Sequence, residues 1–159
     1  MRIDHIGSTA VDGLAAKDII DVQVSVADFD EGLLAALDRA GFVRWPEFAG
    51  DHCPPGMRLA ESELEKRFFN APPGERKANI HVRVEGRFNQ RYALLCRDYL
   101  RSHPLAASAY GQVKRALARI VGDDTDAFYD VKDPVFDILM AGAEEWASAT
   151  GWRPEASDA

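Results

Sequence analysis

The most regular alternation of apolar and polar residues in the chain lies in residues 19–26. Every second side chain from residue 20 onward is apolar, which predicts a β-strand with one face in the core. The opposite face carries Asp21, Gln23 and Ser25. This strand therefore presents one carboxylate and two neutral polar groups away from the core.

Residues 78–85 repeat the same pattern. Their apolar positions are again two apart, and Asn79, His81 and Arg83 lie on the opposite face. If both strands belong to one sheet with their apolar faces together, their polar faces coincide as well. The sequence thus predicts one polar surface that gathers these three side chains with Asp21.

Weaker patterns predict the other elements of the first half. The leucine spacing in residues 29–40 is typical of an amphipathic helix, and Asp28 or Asp30 suits its N-cap position. Ser8 or Thr9 suits the N-cap of a short helix. The predicted strands span 2–6, 42–45, 57–59 and 64–70, and the predicted helices span 8–16 and 29–40.

The second half of the chain has helical spacing throughout. The predicted helices span 87–102, 104–121, and 123 or 124 to about 146 or later. We expect Ile120 to face inward and the last helix to be interrupted near Pro134, because proline suits a first turn better than a helix interior. We predict one domain over residues 1–149 and a flexible polar tail over 150–159.

The composition limits which binding partners and which cellular compartment we expect for this protein. The 159 residues suit one domain, and their net charge of -7 argues against a nucleic-acid or anionic-membrane partner, since both require a basic surface. No apolar run approaches the roughly 20 residues of a membrane span. Cys53 and Cys96 lie in unlike surroundings, which predicts two free thiols in a cytoplasmic protein.

A candidate phosphate site follows the first predicted strand, where Gly7 precedes Ser8. Such a strand end presents backbone N–H groups and a hydroxyl, which suit an anion. Asp21 on the neighbouring strand suits the metal ion that accompanies a phosphate. The alternative remains that the dipeptide is a plain turn and the carboxylate a solvated side chain.

Residues 5–21, HIGSTAVDGLAAKDIID, resemble the signature of the GrpB family. The segments KRFF at 66–69 and NIHVR at 79–83 resemble its middle motifs, and the similarity extends from about residue 2 to 146. This resemblance implies an α/β (α+β) fold like that of the nucleotidyltransferases. In that fold, a mixed sheet of about four to six strands has helices packed on one side, and the C-terminal half of the chain is helical. The family also occurs fused behind dephospho-CoA kinase and has no settled activity.

The resemblance also implies roles for individual residues. It implies that Asp21 and His81 are the catalytic residues and the ligands of a divalent metal, Mg²⁺ or Mn²⁺. The side chains and backbone implied to bind phosphate belong to Gly7, Ser8, Thr9, Lys17, Arg67, Asn79 and Arg83. The implied ligand is a nucleotide or another phosphorylated metabolite, and metal-dependent nucleotidyl transfer is the implied reaction. The alternative for His81 is a structural role, and the alternative for the basic residues is that they form a solvated surface.

At Asp12 the chain departs from the family pattern, since most members carry proline there, and a second feature weighs against catalysis. Transferases of this fold place two carboxylates on alternate positions of one strand, but Gln23 occupies the second position here. The chain also begins inside the first motif, and a second copy of the chain is a candidate to cover the sheet as a homodimer. A non-catalytic binding or scaffold module is therefore the alternative function. A phosphate-ester hydrolase ranks lowest, because few metal ligands are visible.

Overall fold

A computed structural model describes residues 1–157 and contains a five-stranded sheet and four α-helices. The strands are β1 (Arg2–Ile6), β2 (Ile20–Val26), β3 (Val43–Arg44), β4 (Lys66–Asn70) and β5 (Ala78–Val84). The helices are α1 (Glu31–Arg39), α2 (Phe88–Ser102), α3 (Pro104–Val121) and α4 (Thr125–Thr150). The spatial order is β1-β2-β5-β4-β3, with β2 and β5 parallel and every other pair antiparallel.

One face of the sheet forms an apolar core with α1. Leu34 of α1 is 2% exposed and packs with buried residues of three strands, namely Val24, Val26, Phe69, Ile80 and Val82. The helix begins after Asp30, whose carboxylate accepts a hydrogen bond from the Gly32 amide at 2.8 Å and so caps its first turn. Burial of these apolar side chains is the main source of stability on this face.

The other face carries the predicted polar surface, and the pairing of β2 with β5 creates it. Asp21 is opposite Asn79, and Gln23 is opposite His81. Helix α2 covers part of this face, so that Gln23 has no exposed surface. Its amide donates to the Gln90 carbonyl oxygen at 3.1 Å, which satisfies a buried polar group inside the protein.

The predicted fold class is confirmed: the chain is an α+β protein with a mixed five-stranded sheet and a helical C-terminal half. The three C-terminal helices lie on the polar side of the sheet, as the cavity and cluster residues show. Helix α1 packs on the opposite face, so the one-sided arrangement holds for α2–α4 and not for α1.

Four local predictions were wrong. The helix expected at 8–16 is only the 3₁₀ turn Ser8–Ala10, and residues 57–59 form no strand. Helix α4 continues through Pro134, which removes one N–H donor without ending the helix. Ile120 is 74% exposed, because it lies at the last turn of α3 beyond the packed part of that helix.

Part of the predicted tail contacts the domain. Trp152 packs against the cluster formed by α2 and α4, and its indole N–H donates to Asp98 at 3.1 Å. The boundary at residue 149 stays a prediction, and residues 158–159 of the predicted tail lie outside the described residues. None of the described helices is both long and apolar enough to cross a membrane.

Replacement of Leu34 by alanine should lower the free energy of unfolding by about 2–5 kcal/mol, because it leaves a cavity between α1 and the sheet. Leu105→Ala is the matched control, since Leu105 is 88% exposed, and its effect should stay within about 0.5 kcal/mol. Urea unfolding of both variants measures the difference. Equal losses would contradict the packing of α1 on this face.

Candidate functional site

A cavity of about 740 Å³ lies between the polar face of the sheet and helices α2–α4. Its floor contains the side chains of Asp21, Asn79, His81 and Arg83. Its helical side is largely aromatic and includes Tyr92, Tyr110, Tyr129 and Phe136. A volume of this size accommodates a metabolite, and small-molecule sites commonly combine apolar walls with a few polar groups.

Asp21 accepts a hydrogen bond on Oδ1 from the Asn79 amide at 2.8 Å. Asn79 in turn accepts from the Asn70 amide at 2.9 Å, so neighbouring strands fix its orientation. Burial would raise the pKa of Asp21, but the His81 contact, the hydrogen bond from Asn79 and nearby positive charge outweigh that effect and hold the pKa below its usual range. The carboxylate is therefore ionised at neutral pH.

Gly7 gives Asp21 the space it occupies. Its φ of 70° lies in a region that glycine favours, and a Cβ at this position would lie 2.4 Å from Asp21 Oδ2. The next residue, Ser8, begins the 3₁₀ turn and lines the cavity. Glycine is thus required here by both backbone conformation and close approach.

His81 is neutral in this site. Burial, chiefly, and then the positive charges of Arg83 and Lys66 lower its pKa to about 4, although the nearby Asp21 carboxylate opposes the shift. Arg83 Nη2 lies 3.4 Å from His81 Nδ1, and His81 Nε2 lies 3.7 Å from Asp21 Oδ1. Because Arg83 can only donate, Nδ1 acts as the acceptor and Nε2 carries the proton toward Asp21.

Arg83 is the most connected side chain of the floor. It is 5% exposed and makes two hydrogen bonds to Asp51, from Nε at 2.8 Å and from Nη2 at 3.1 Å. Its Nη1 donates to Gln23 Oε1 at 2.6 Å. The guanidinium is thus satisfied by protein groups, and Asp51 rather than a ligand neutralises it.

The segment that carries Asp51 joins the two sides of the cavity. Asp51 also accepts from Lys66 at 2.6 Å and from Asn89 at 3.1 Å. The charges and hydrogen bonds of Arg83 and Lys66 outweigh its burial and hold the pKa of Asp51 far below the usual range. The adjacent His52 contacts Asp137 of α4, with Nε2 and Oδ2 separated by 2.9 Å. We call residues 46–56 the strap, since neighbouring residues of it bind the sheet and a helix.

The donor set does not fit a two-metal centre. Gln23, at the position of the expected second carboxylate, is fully buried and bonded to Arg83 and the Gln90 carbonyl. The oxygens of Asp51 are occupied by Lys66, Arg83 and Asn89, and Nε2 of His81 carries a proton. Within residues 1–157 no group of three or more His, Cys, Asp or Glu side chains is arranged to hold a metal ion.

The structure brings most of the predicted site residues together. Gly7, Ser8, Asp21, Asn79, His81 and Arg83 all line the cavity. Thr9 lies beside them, and its hydroxyl is 2.9 Å from His5 Nε2. Their predicted roles in metal and phosphate binding stay predictions.

Two predicted residues lie elsewhere. Arg67 is opposite Val82 in the β4–β5 pair and therefore points to the apolar face, where it stacks on Phe29 at 4.1 Å and pairs with Glu65. Lys17 is exposed, with its ammonium 5.9 Å from the ring centre of Phe128. The structure does not bring either residue into the cavity.

Sequence reasoning missed Asp51, which lines the cavity, and Lys114, which contacts the lining residue Ser8. Asp51 comes from an irregular loop, and no periodic pattern marks it. Lys114 lies on α3, is 9% exposed, and donates to Ser8 Oγ at 2.6 Å. A signal for Lys114 existed, because it falls on the apolar stripe of its helix between Tyr110 and Leu117.

The fold defines an α+β protein with a cavity between its sheet and its C-terminal helices. The crystal structure of conserved protein GrpB from Enterococcus faecalis is similar, with a TM-score of 0.70 and 28% identity over 92% of this chain and 82% of that one. The model of the family described as GrpB protein matches residues 1–141. The chain belongs to the GrpB family.

Related proteins have two kinds of name. A dephospho-CoA kinase of Mycolicibacterium paratuberculosis is 38% identical over 97% of this chain. The chain spans 41% of that relative's length. A UPF0157 protein of Streptomyces coelicolor is 38% identical over 87% of this chain and 65% of its own length.

Replacement of Gly7 by alanine should displace the Asp21 carboxylate and destabilise the fold by about 1–3 kcal/mol. Gly13→Ala is the matched control, because Gly13 has a similar φ of 74° but nothing within 4 Å of an added Cβ. Urea unfolding should show a larger loss for Gly7→Ala, and adding Asp21→Ala should recover part of it. Equal losses in both glycine variants would contradict the close contact.

The pKa of His81 predicts how stability depends on pH. The unfolded chain binds a proton at this ring near the ordinary value of 6.5, whereas the folded chain binds it only near pH 4. Stability should therefore fall as the pH drops from about 6.5 to about 4, by on the order of 3 kcal/mol. NMR titration of the ring should give a midpoint near pH 4, and a midpoint near 6.5 would contradict the buried neutral state.

Proposed function

We propose that this protein binds a nucleotide or another phosphorylated metabolite in the cavity, with a hydrogen-bond-donating part of the ligand against Asp21. The observation that carries the proposal is the contrast between the two sides of this cavity. The sheet side holds an ionised carboxylate, and the helical side is aromatic. A ligand with a polar-edged ring matches both sides.

The free oxygen of Asp21 makes the sheet side of the cavity favour a hydrogen-bond donor. Oδ1 accepts from Asn79, while Oδ2 accepts no hydrogen bond from any side chain of residues 1–157. A carboxylate oxygen can only accept, so it favours a ligand N–H or O–H group and repels an anion. The base or amino group of a nucleotide supplies such donors.

We favour binding without nucleotidyl transfer. Transfer by a two-metal mechanism requires a pair of carboxylates that share the ions. Gln23 lacks the negative charge of a carboxylate. Its two hydrogen bonds, to Arg83 and Gln90, hold the floor of the cavity in place. These bonds are consistent with a cavity whose shape is maintained by a neutral side chain at position 23, where a transferase has a carboxylate.

A scaffold role is the second candidate, and the relatives favour it. Proteins named dephospho-CoA kinase contain a region similar to 97% of this chain within a much longer protein. A domain attached to another can stabilise its neighbour without chemistry of its own. We infer a cytoplasmic location in either case, because Cys53 and Cys96 are both free thiols.

Calorimetric titration with ATP, GTP, CTP, UTP and dephospho-CoA tests the proposal, with EDTA in one series and Mg²⁺ or Mn²⁺ in another. We expect one of them to bind in EDTA and Asp21→Asn to weaken it about tenfold, because a neutral amide accepts a weaker hydrogen bond. Asp18→Asn should change nothing, since the Asp18 side chain is 89% exposed.

Two results would contradict the proposal. Absence of binding by all five compounds would favour the scaffold role. Binding that occurs only with metal and is lost in Asp21→Asn would favour a metal-dependent transferase site.

A further inference from the structure

A crevice of about 90 Å³ lies at the β3 edge of the sheet, between β4 and the strap; we call it the edge crevice. Its charged lining residues are Arg44, Lys66 and Arg67, and no acidic side chain of residues 1–157 lines it. Neither Arg44 nor Arg67 lines the large cavity, so the two spaces are distinct. In a chain with a net charge of -7, three cations around one small space indicate an affinity for anions.

Arg44 is the lining cation that lacks a protein partner. Its side chain forms no hydrogen bond or ion pair with any group in residues 1–157, and its Nε is buried. A guanidinium has five N–H donors, and a buried donor without an acceptor costs free energy. Because buried polar groups are nearly always satisfied, this side chain suits an acceptor from outside the chain.

Arg67 lies beside Arg44 on the same face of the sheet. Arg44 is opposite Phe69 in the β3–β4 pair, so Arg67 is its diagonal neighbour. Diagonal neighbours are roughly 7–8 Å apart, which is within reach of long side chains. Arg67 uses only Nη1 for hydrogen bonds in the described chain, to Glu65 at 2.8 Å and to the Lys66 carbonyl oxygen at 3.2 Å. Its other N–H groups can therefore share one oxyanion with Arg44.

The carboxylates near the edge crevice do not cancel its positive charge. Asp51 accepts from Lys66 at 2.6 Å but also from the β5 arginine at 2.8 Å. Glu65 pairs with Arg67 at 2.8 Å but also with a second arginine at 3.2 Å. Each carboxylate is thus shared between two cations, and Arg44 adds a further positive charge. This excess favours a doubly charged anion over a singly charged one.

We propose that Arg44 and Arg67 form a binding site for a tetrahedral oxyanion, phosphate or sulfate, at the β3 edge of the sheet. The edge crevice has several times the roughly 10–15 Å³ that a single water molecule requires, so it has room for such an ion. The site is independent of the ligand proposed for the large cavity. Trp45 also lines it and is 39% exposed, so its indole can report binding.

The test is a titration of the ¹⁵N-labelled chain with sodium phosphate and, separately, sodium sulfate, at constant ionic strength. The amide signals of Arg44 and Arg67 and the indole signal of Trp45 should shift and saturate. Arg44→Gln should raise the Kd about tenfold or more, because it removes charge-assisted hydrogen bonds. Arg39→Gln is the matched control: Arg39 is exposed at the end of α1, and its loss should leave the Kd unchanged.

Arg44→Met is a second variant, which removes the unpartnered guanidinium but keeps a long side chain. Phosphate should raise the urea midpoint of the wild type, because it binds only the folded chain, and should leave that of Arg44→Met unchanged. Glycerol 3-phosphate distinguishes the source of the oxyanion. Tighter binding of this ester than of phosphate supports a site for phosphorylated molecules, and weaker binding supports a site for the free ion.

Three results would overturn the site: an unchanged Kd in Arg44→Gln, the same shifts with sodium chloride alone, or no saturable shift at Arg44 and Trp45. Shifts confined to Ser8 and Asn79 would place the anion in the large cavity and refute the site as well. Asp21→Asn separates this inference from the proposed function, since it should weaken nucleotide binding and leave phosphate binding in the edge crevice unchanged.

Discussion

The parallel pairing of β2 with β5 is the constraint on which the rest of the structure depends. Its register places Asp21 opposite Asn79 and Gln23 opposite His81. A shift by one residue would turn every polar side chain of one strand toward the apolar core under α1. Burial of the apolar face fixes this register. The register in turn fixes which polar side chains are neighbours on the other face.

The polar face is satisfied by bonds that connect separate parts of the chain. Arg83 joins Gln23 of the sheet to Asp51 of the strap, and Gln90 of α2 donates to Ser25 at 3.2 Å. A buried polar group without partners costs free energy, so each of these bonds is needed once the helices cover the sheet. The network explains how a domain with a polar surface at its centre remains well packed.

Sequence reasoning predicted the part of the site that follows from periodicity. Alternation alone placed Asp21 and His81 on one face, because a strand has a fixed period of two. It did not predict Asp51, because a loop residue has no period and its partners lie 15 and 32 positions away in the sequence. Pro134 misled the prediction for α4, since packing of that helix outweighs the loss of one hydrogen bond.

The strap connects the floor of the cavity to its helical side. Asp51 contacts Arg83 of the sheet, and the next residue, His52, contacts Asp137 of α4, so two neighbouring residues connect the floor of the cavity to its helical side. Insertions or deletions in a surface loop cost little stability, whereas changes in the sheet cost much more. The volume of such a cavity can therefore change through the length of this loop, while the side chains that the sheet contributes to the floor stay the same.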